Sequence, residues 1–286
     1  MTKAVLLTLL LILSTQIPAH AEKSSCLNAL FSHPGKAAAD FSVYSPASQG
    51  LILKFEIRPV PEKMMGLEMR WVSLSHQAHQ TNWLSILNHL SENSPAVFEQ
   101  YNLKRTGSSQ TLRGDEKYAR GWRKAEALTR AWVARRQPIT LEKIIQLNKT
   151  IGFAFKDGAK KPGVLRRTAK DKLNTVFSVF DPTDVERGMN DLLTWYNYWQ
   201  TRLNTFELAT LFYQRFVTIH PFFNGNGRTA RLVTDWILLS KGFPPMAFEG
   251  SSSVQRSTVE GRDLEVEVSL TRVTDAVENS MNFLTN

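Results

Sequence analysis

Cysteine is almost missing from this chain of 286 residues: Cys26 is the only one. No intramolecular disulfide can form, which excludes the small, disulfide-stapled class of secreted domain. Long apolar runs are equally scarce. The apolar run Ala4–Leu13 is too short to span a bilayer comfortably, and no later stretch could span one. The sequence has no phosphate-binding Gly-Lys-Ser/Thr loop, no Gly-x-Ser-x-Gly nucleophile turn and no His-x-x-x-His pair with a glutamate. P-loop kinase, serine hydrolase and zinc peptidase chemistry are therefore not indicated. Internal repeats and low-complexity tracts are absent as well. Acidic residues are outnumbered, giving a formal charge of +9. The basic residues fall in scattered pairs, Arg135-Arg136, Lys160-Lys161 and Arg166-Arg167, rather than in one stripe with stacking aromatics. That argues for a basic surface attractive to nucleotides or acidic partners, and against a nucleic-acid groove.

A hydrophobic fraction of 42% supports one sizeable core with room for an accessory region. Residues 1–21 read as an export signal: Lys3, the apolar run, then Ala19-His20-Ala21 as a small-x-small cleavage site. Cleavage there removes one lysine and leaves +8. The expected location is periplasmic or secreted, with no membrane span after cleavage.

Residues 22–112 read as an irregular accessory region. Within it Leu53–Arg58 alternates apolar and charged residues like a half-buried strand ended by Pro59 and Pro61, and helical segments follow near Trp71–Leu90. A helical core of residues 113–245 comes next. Asp115 is a candidate cap for a helix carrying Trp122, Ala125, Leu128 and Trp132, and Pro138 closes it. Thr140 is a candidate cap for a second, with Leu141, Ile144, Ile145, Leu147 and Ile151 apolar and Gly152 at its end. Residues 164–180 read as a β-hairpin built from Val164-Leu165-Arg166 and Thr175–Phe180. Thr183–Glu186 has capping-box spacing, and so do Asn204 and Glu207. The helix opened by Asn204 presents Leu208, Phe212, Phe216 and Ile219 and runs into His220. A further helix begins after Gly227 and ends at Lys241-Gly242 before Pro244-Pro245. The extension of residues 246–286 ends in a helix carrying Val266, Leu270, Val273, Val277, Met281 and Leu284.

The segment His220-Pro-Phe-Phe-Asn-Gly-Asn-Gly-Arg-Thr-Ala-Arg231 carries the chemistry. A helix ends at a histidine, a glycine-containing turn lets backbone approach a ligand, and a new helix offers unpaired N–H groups and a positive dipole end to an anion. Arg228 and Arg231 share a face and can fork onto phosphate. An imidazole beside that nest can take a proton from an incoming hydroxyl. Taken singly, each feature has an ordinary structural explanation, as a cap, a turn or a solvated arginine. Together, between two apolar helices, they read as a phosphate cradle with an adjacent general base.

The segment resembles the signature of the Fic (filamentation induced by cAMP) family, His-Pro-Phe-x-(Asp/Glu)-Gly-Asn-Gly-Arg-x-x-Arg, with one departure at Asn224. Thr140–Ile145, Gly163–Arg166, Leu192–Trp195 and Phe206–Ala209 also resemble Fic-domain sequence, over roughly residues 115–245. The resemblance implies a mainly α fold, a Fic-type helical domain with a β-hairpin flap over the active site. It implies protein AMP-transferase activity, in which AMP passes from Mg-ATP to a Ser, Thr or Tyr hydroxyl of a target protein docked at the flap near 164–180. By that pattern His220 is the general base, Gly225, Asn226 and Gly227 form the anion hole, Arg228 assists phosphate binding or local structure, and Arg231 holds the γ-phosphate. Phe222 anchors the loop. The family's acidic residue holds Mg2+, so Asn224 would bind it weakly or leave it dispensable. Transfer of another nucleotide-borne group (UMP or phosphocholine), or nucleotide binding with weak catalysis, are the alternatives that Asn224 leaves open. Fic proteins are often restrained by a (Ser/Thr)-x-x-x-Glu-(Gly/Asn) helix whose glutamate pairs with the second signature arginine. Thr274–Asn279 matches, making Thr274 and Glu278 candidate inhibitory residues. Ser109–Gly114 has the spacing, with Arg113 in place of the glutamate.

Overall fold

The computed structural model describes residues 43–52, 61–106, 116–152, 162–173, 178–248 and 266–286. Residues 1–21 of the expected export signal, Cys26, the alternating segment 53–58, Ser109–Gly114, Asp115 and residues 174–177 of the expected hairpin lie outside the described residues. Ten α-helices run through the described residues: α1 (Pro46–Ile52), α2 (Pro61–His79), α3 (Trp83–Asn93), α4 (Pro95–Thr106), α5 (Glu116–Ala134), α6 (Leu141–Gly152), α7 (Val185–Trp199), α8 (Thr205–Ile219), α9 (Asn226–Ser240) and α10 (Val266–Thr285). The mainly α fold expected from the sequence is what the chain adopts.

Helices α8 and α9 form the centre. Each is buried nearly all round, as helices at the middle of a helical core are. They pack against each other; α5 and α6 cover α9, while α7 and α10 cover α8. The Asn204 capping box forms as expected: the side chain of Asn204 accepts from the Phe206 N–H at 2.9 Å, and Glu207 reaches back to the Asn204 N–H at 3.3 Å. The capping box expected at Thr183–Glu186 does not form. Asp181 instead accepts from the Thr183 N–H and hydroxyl, and the 3-10 turn Pro182–Asp184 leads into α7. The proline after Asp181 favours this earlier start by fixing its own φ at the first helical position.

The segment expected to be irregular is largely helical from residue 61 to 106 and shares the main core. Trp71 of α2 stacks on Phe206 of α8 at 5.6 Å, and its indole N–H donates to Thr274 of α10 at 2.8 Å. Arg105 of α4 is buried between Glu126 of α5 (3.0 Å) and Asp235 of α9 (2.9 Å). Asp235 also accepts the Met246 N–H at 2.9 Å. Burial raises the Asp235 carboxyl above its usual range, and Arg105 opposes that shift. At the other end, Ser45 donates from its hydroxyl and N–H to Asp184, pinning α1 to the start of α7.

Between α6 and α7, Leu165 forms an isolated antiparallel bridge with Phe222 of the signature segment, and Phe180 donates its N–H to the Thr218 carbonyl at 3.3 Å. Among the described residues, the first expected hairpin strand thus pairs with the loop after α8. Residues 169–171 form a 3-10 turn rather than a plain loop.

Candidate active site

His220 ends α8 in the left-handed conformation, at φ 51°, ψ 59°. A non-glycine residue is uncommon there and is held by its surroundings. Its N–H donates to the Phe216 carbonyl at 2.9 Å, and its carbonyl accepts from Arg166 Nε at 2.8 Å. Arg166 is fully buried. Its guanidinium also donates to the carbonyls of Phe180 and Ile219, each at 3.1 Å, while its backbone N–H donates to the Pro221 carbonyl at 2.9 Å. One side chain therefore satisfies carbonyls that a helix end leaves without intrahelical partners. Burial pulls the guanidinium down to about 10, so it stays charged at neutral pH. The imidazole of His220 is half-buried with Nδ1 3.2 Å from the Val217 carbonyl. A carbonyl can only accept, so the proton sits on Nδ1 and Nε2 carries the basic lone pair.

The loop closes on Asn226. Its buried side chain accepts the Phe222 N–H at 2.9 Å and donates to the Phe222 carbonyl at 2.8 Å, while Phe222 is itself fully buried. Phe222 is the anchor the sequence suggested. The Asn226 side chain is spent on the loop, leaving its backbone as the part that can meet a ligand. Gly225, at φ 78°, precedes α9 in the left-handed region, which suits a residue with no Cβ. Its N–H donates to Asn224 Oδ1 at 2.7 Å. Of the three expected anion-hole donors, Gly225 is thus engaged by its neighbour. Asn226 and Gly227, in the first turn of α9, have no carbonyl one turn back to donate to.

Arg228 is half-buried in the first turn of α9. Arg231 lies one turn further and is 8% exposed, with its Nε lacking a protein partner. Tyr213 on α8 is buried near it, and the pKa of its phenol is raised by that burial while the Arg231 charge opposes the shift. A buried cation with an unsatisfied N–H beside a helix N-terminus is suited to an anion.

The roles of Asn148, Gly163 and Arg166 escaped the sequence reading. Asn148 on α6 donates to the Asn224 carbonyl at 2.9 Å and to Thr229 Oγ1 at 3.2 Å, and accepts the Gly163 N–H at 2.9 Å. It sits on the buried stripe Ile144, Leu147, Ile151, and a polar residue on an apolar stripe is the signal that could have found it. Gly163, at φ 72°, passes so close to α6 that an added Cβ would lie 2.7 Å from Lys149 Cβ. Arg166 belongs to a quoted motif, but nothing local reveals its reach across the chain to residues 219 and 220.

Glu278 of α10 pairs with Arg70 of α2, which also meets Asp275 at 2.8 Å. Thr274 is buried, donating to the Leu270 carbonyl and accepting from Trp71. The pairing of Glu278 with Arg231 expected from the sequence is not made in this structure; Glu278 is turned instead to the accessory helix, where a cation is closer.

A magnesium ion weakly held at Asn224, or dispensable there, was the expectation. The residue is exposed, its amide oxygen is the acceptor for Gly225, and no group of three or more His, Cys, Asp or Glu side chains suited to a metal occurs among the described residues. The chain's own donors at this position do not fit an ion that prefers anionic oxygen.

His220 ends one central helix, and the loop after it opens on the N-terminus of the next. The chain matches the family model described as Fic/DOC family over residues 138–238, and its mainly helical fold is of the Fic type. It is 29% identical over 225 residues to a uridine 5'-monophosphate transferase of Xanthomonas campestris pv. campestris, covering 73% of this chain and 41% of that protein. Over 66 residues it is 44% identical to the protein adenylyltransferase Fic of Nematostella vectensis, covering 23% of this chain and 16% of that one. The chain thus spans less than half the length of these relatives. The solved structure of Fic-1 from Caenorhabditis elegans superposes with a TM-score of 0.60 at 16% identity, covering 84% of this chain and 77% of that one, which is a likeness of fold. No helix among the described residues is long and apolar enough to cross a membrane.

Proposed function

We propose that this chain transfers a nucleoside monophosphate, AMP from ATP, to a hydroxyl of a target protein. The observation that carries the reading is the placement of His220 at the end of α8, immediately before a loop that opens on the first turn of α9, with buried Arg231 one turn on. Nε2 of His220 takes the proton of a Ser, Thr or Tyr hydroxyl. The oxygen then attacks the α-phosphorus, and pyrophosphate leaves with the bonding pair of the broken P–O bond. The Asn226 and Gly227 N–H groups and the positive end of α9 favour the phosphates, and Arg228 and Arg231 balance their charge. The segment around Leu165, which bridges to Phe222 and carries exposed Val164, is the expected dock for an extended stretch of the target.

Transfer of UMP is the second reading. It is favoured by the Xanthomonas relative, a uridine 5'-monophosphate transferase whose similarity extends over 73% of this chain. Incubation of the purified chain with ATP or UTP labelled at the α-phosphorus, with a mixed protein extract as acceptor, separates the two. Label from ATP alone supports AMP transfer, label from UTP alone supports the second reading, and label from neither contradicts both.

A further inference from the structure

The geometry points to Asn224 as a direct hydrogen-bond donor to the nucleotide's phosphates, so that nucleotide binding here does not depend on a divalent cation. This inference rests on the nucleotide-transfer reading and concerns how the same site handles phosphate charge.

An N–H can donate only to an acceptor, so the 2.7 Å contact from Gly225 fixes which end of the Asn224 amide faces the loop: it is the oxygen. The amide nitrogen is then the end of this exposed side chain that is turned away from the Gly225 N–H and left to donate. The Asn224 carbonyl is held from behind by Asn148, so the residue is anchored at its backbone as well as at its side-chain oxygen. The result is a relay: the Gly225 N–H, which would otherwise face an anion, passes its donor role through the Asn224 amide to Nδ2–H further out.

In the second turn of α9, Arg231 is buried with an Nε–H that has no protein partner. That is a second and independent polar group in want of an acceptor. Both groups seek an oxygen anion, and neither offers a lone pair to a metal. A carboxylate at position 224 would do the opposite. One oxygen would accept from Gly225, and the other would present negative charge where phosphate sits, requiring a cation between them. Asn and Asp have nearly the same shape, so one substitution exchanges the two arrangements.

The test is calorimetric titration of the full chain with ATP and with UTP, in excess magnesium and in EDTA, for wild type, Asn224→Asp and Asn224→Ala. Asn224 is exposed, and thermal melts check that each variant folds. The wild type is expected to bind with affinities within about threefold in the two conditions. Asn224→Asp is expected to lose about tenfold or more in EDTA and to regain it with magnesium, and Asn224→Ala to weaken in both. A wild type that loses about tenfold in EDTA, or an Asp variant that binds as well as wild type without magnesium, overturns the inference. Binding of this pattern without any label transfer supports it while contradicting the transfer reading. Failure of the wild type to bind either nucleotide in either condition overturns both.

Discussion

Arg166 donates from Nε to the carbonyl of His220 at 2.8 Å, from a position 54 residues earlier in the chain. His220 has a left-handed backbone that a β-carbon disfavours, and Arg166 fixes it by holding the carbonyls of Ile219 and His220 together. Arg166→Lys keeps the charge but loses the planar fork, so several of these carbonyls lose their donor. It is expected to cost about 3 kcal/mol in stability. Guanidinium unfolding curves check this, and a change below the error of the curves contradicts the role given to the fork.

Asn148 ties three parts of the site together: Gly163, the Asn224 carbonyl and Thr229. Asn148→Asp keeps the acceptor for Gly163 but turns a carboxylate oxygen toward the Asn224 carbonyl in place of a donor. A loss of about 2 kcal/mol follows from the unsatisfied and repelling groups. Weaker ATP binding should accompany it, measured by titration of the folded variant. Unchanged stability and affinity would mean the loop does not need this strut.

Arg105 lies between Glu126 and Asp235 with all three side chains at most 2% exposed. Arg105→Met leaves Asp235 in the core without its cation and Glu126 with Arg130 alone, and is expected to destabilise by about 3–5 kcal/mol. Replacing all three with apolar residues of similar volume should recover most of that loss. A triple variant as unstable as the single one contradicts this account of α4, α5 and α9.

Glu278 is committed to Arg70, and that pair is roughly 40% exposed. Solvent screening limits such a pair to about 1 kcal/mol or less. Glu278→Ala is therefore expected to change stability little and to leave ATP affinity and transfer rate as they are. A rise of tenfold or so in either would show that α10 restrains the site in a state other than this one.

The core around the site was readable because its signals are local. The capping box at Asn204, the apolar stripe that runs to Ile219, the glycine turn and the end at Gly242 are all set by residues within a turn of one another. The same holds for α10, whose three- and four-residue steps outweigh the short alternation at its start. The accessory helices were less legible. Trp71 faces inward because Phe206 and Thr274 wait for it more than a hundred residues away, and no periodicity within α2 announces those partners. The start of α7 was misread because Asp181 and Pro182 together cap better than the Thr183 spacing that mimics a box. Phe222 was expected as an anchor; its pairing with Leu165, the work of Arg166 and Asn148, and the turning of Glu278 to Arg70 are long-range facts with no local signature.

The central claim is that His220 drives attack of a protein hydroxyl on the α-phosphorus of a nucleotide. The most direct measurement uses ATP labelled at the α-phosphorus in one reaction and at the γ-phosphorus in another, with wild type and His220→Ala side by side. The account predicts protein-bound label from the α-position only, lowered about a hundredfold or more by His220→Ala. Label from the γ-position, or α-label that persists undiminished in His220→Ala, would contradict it.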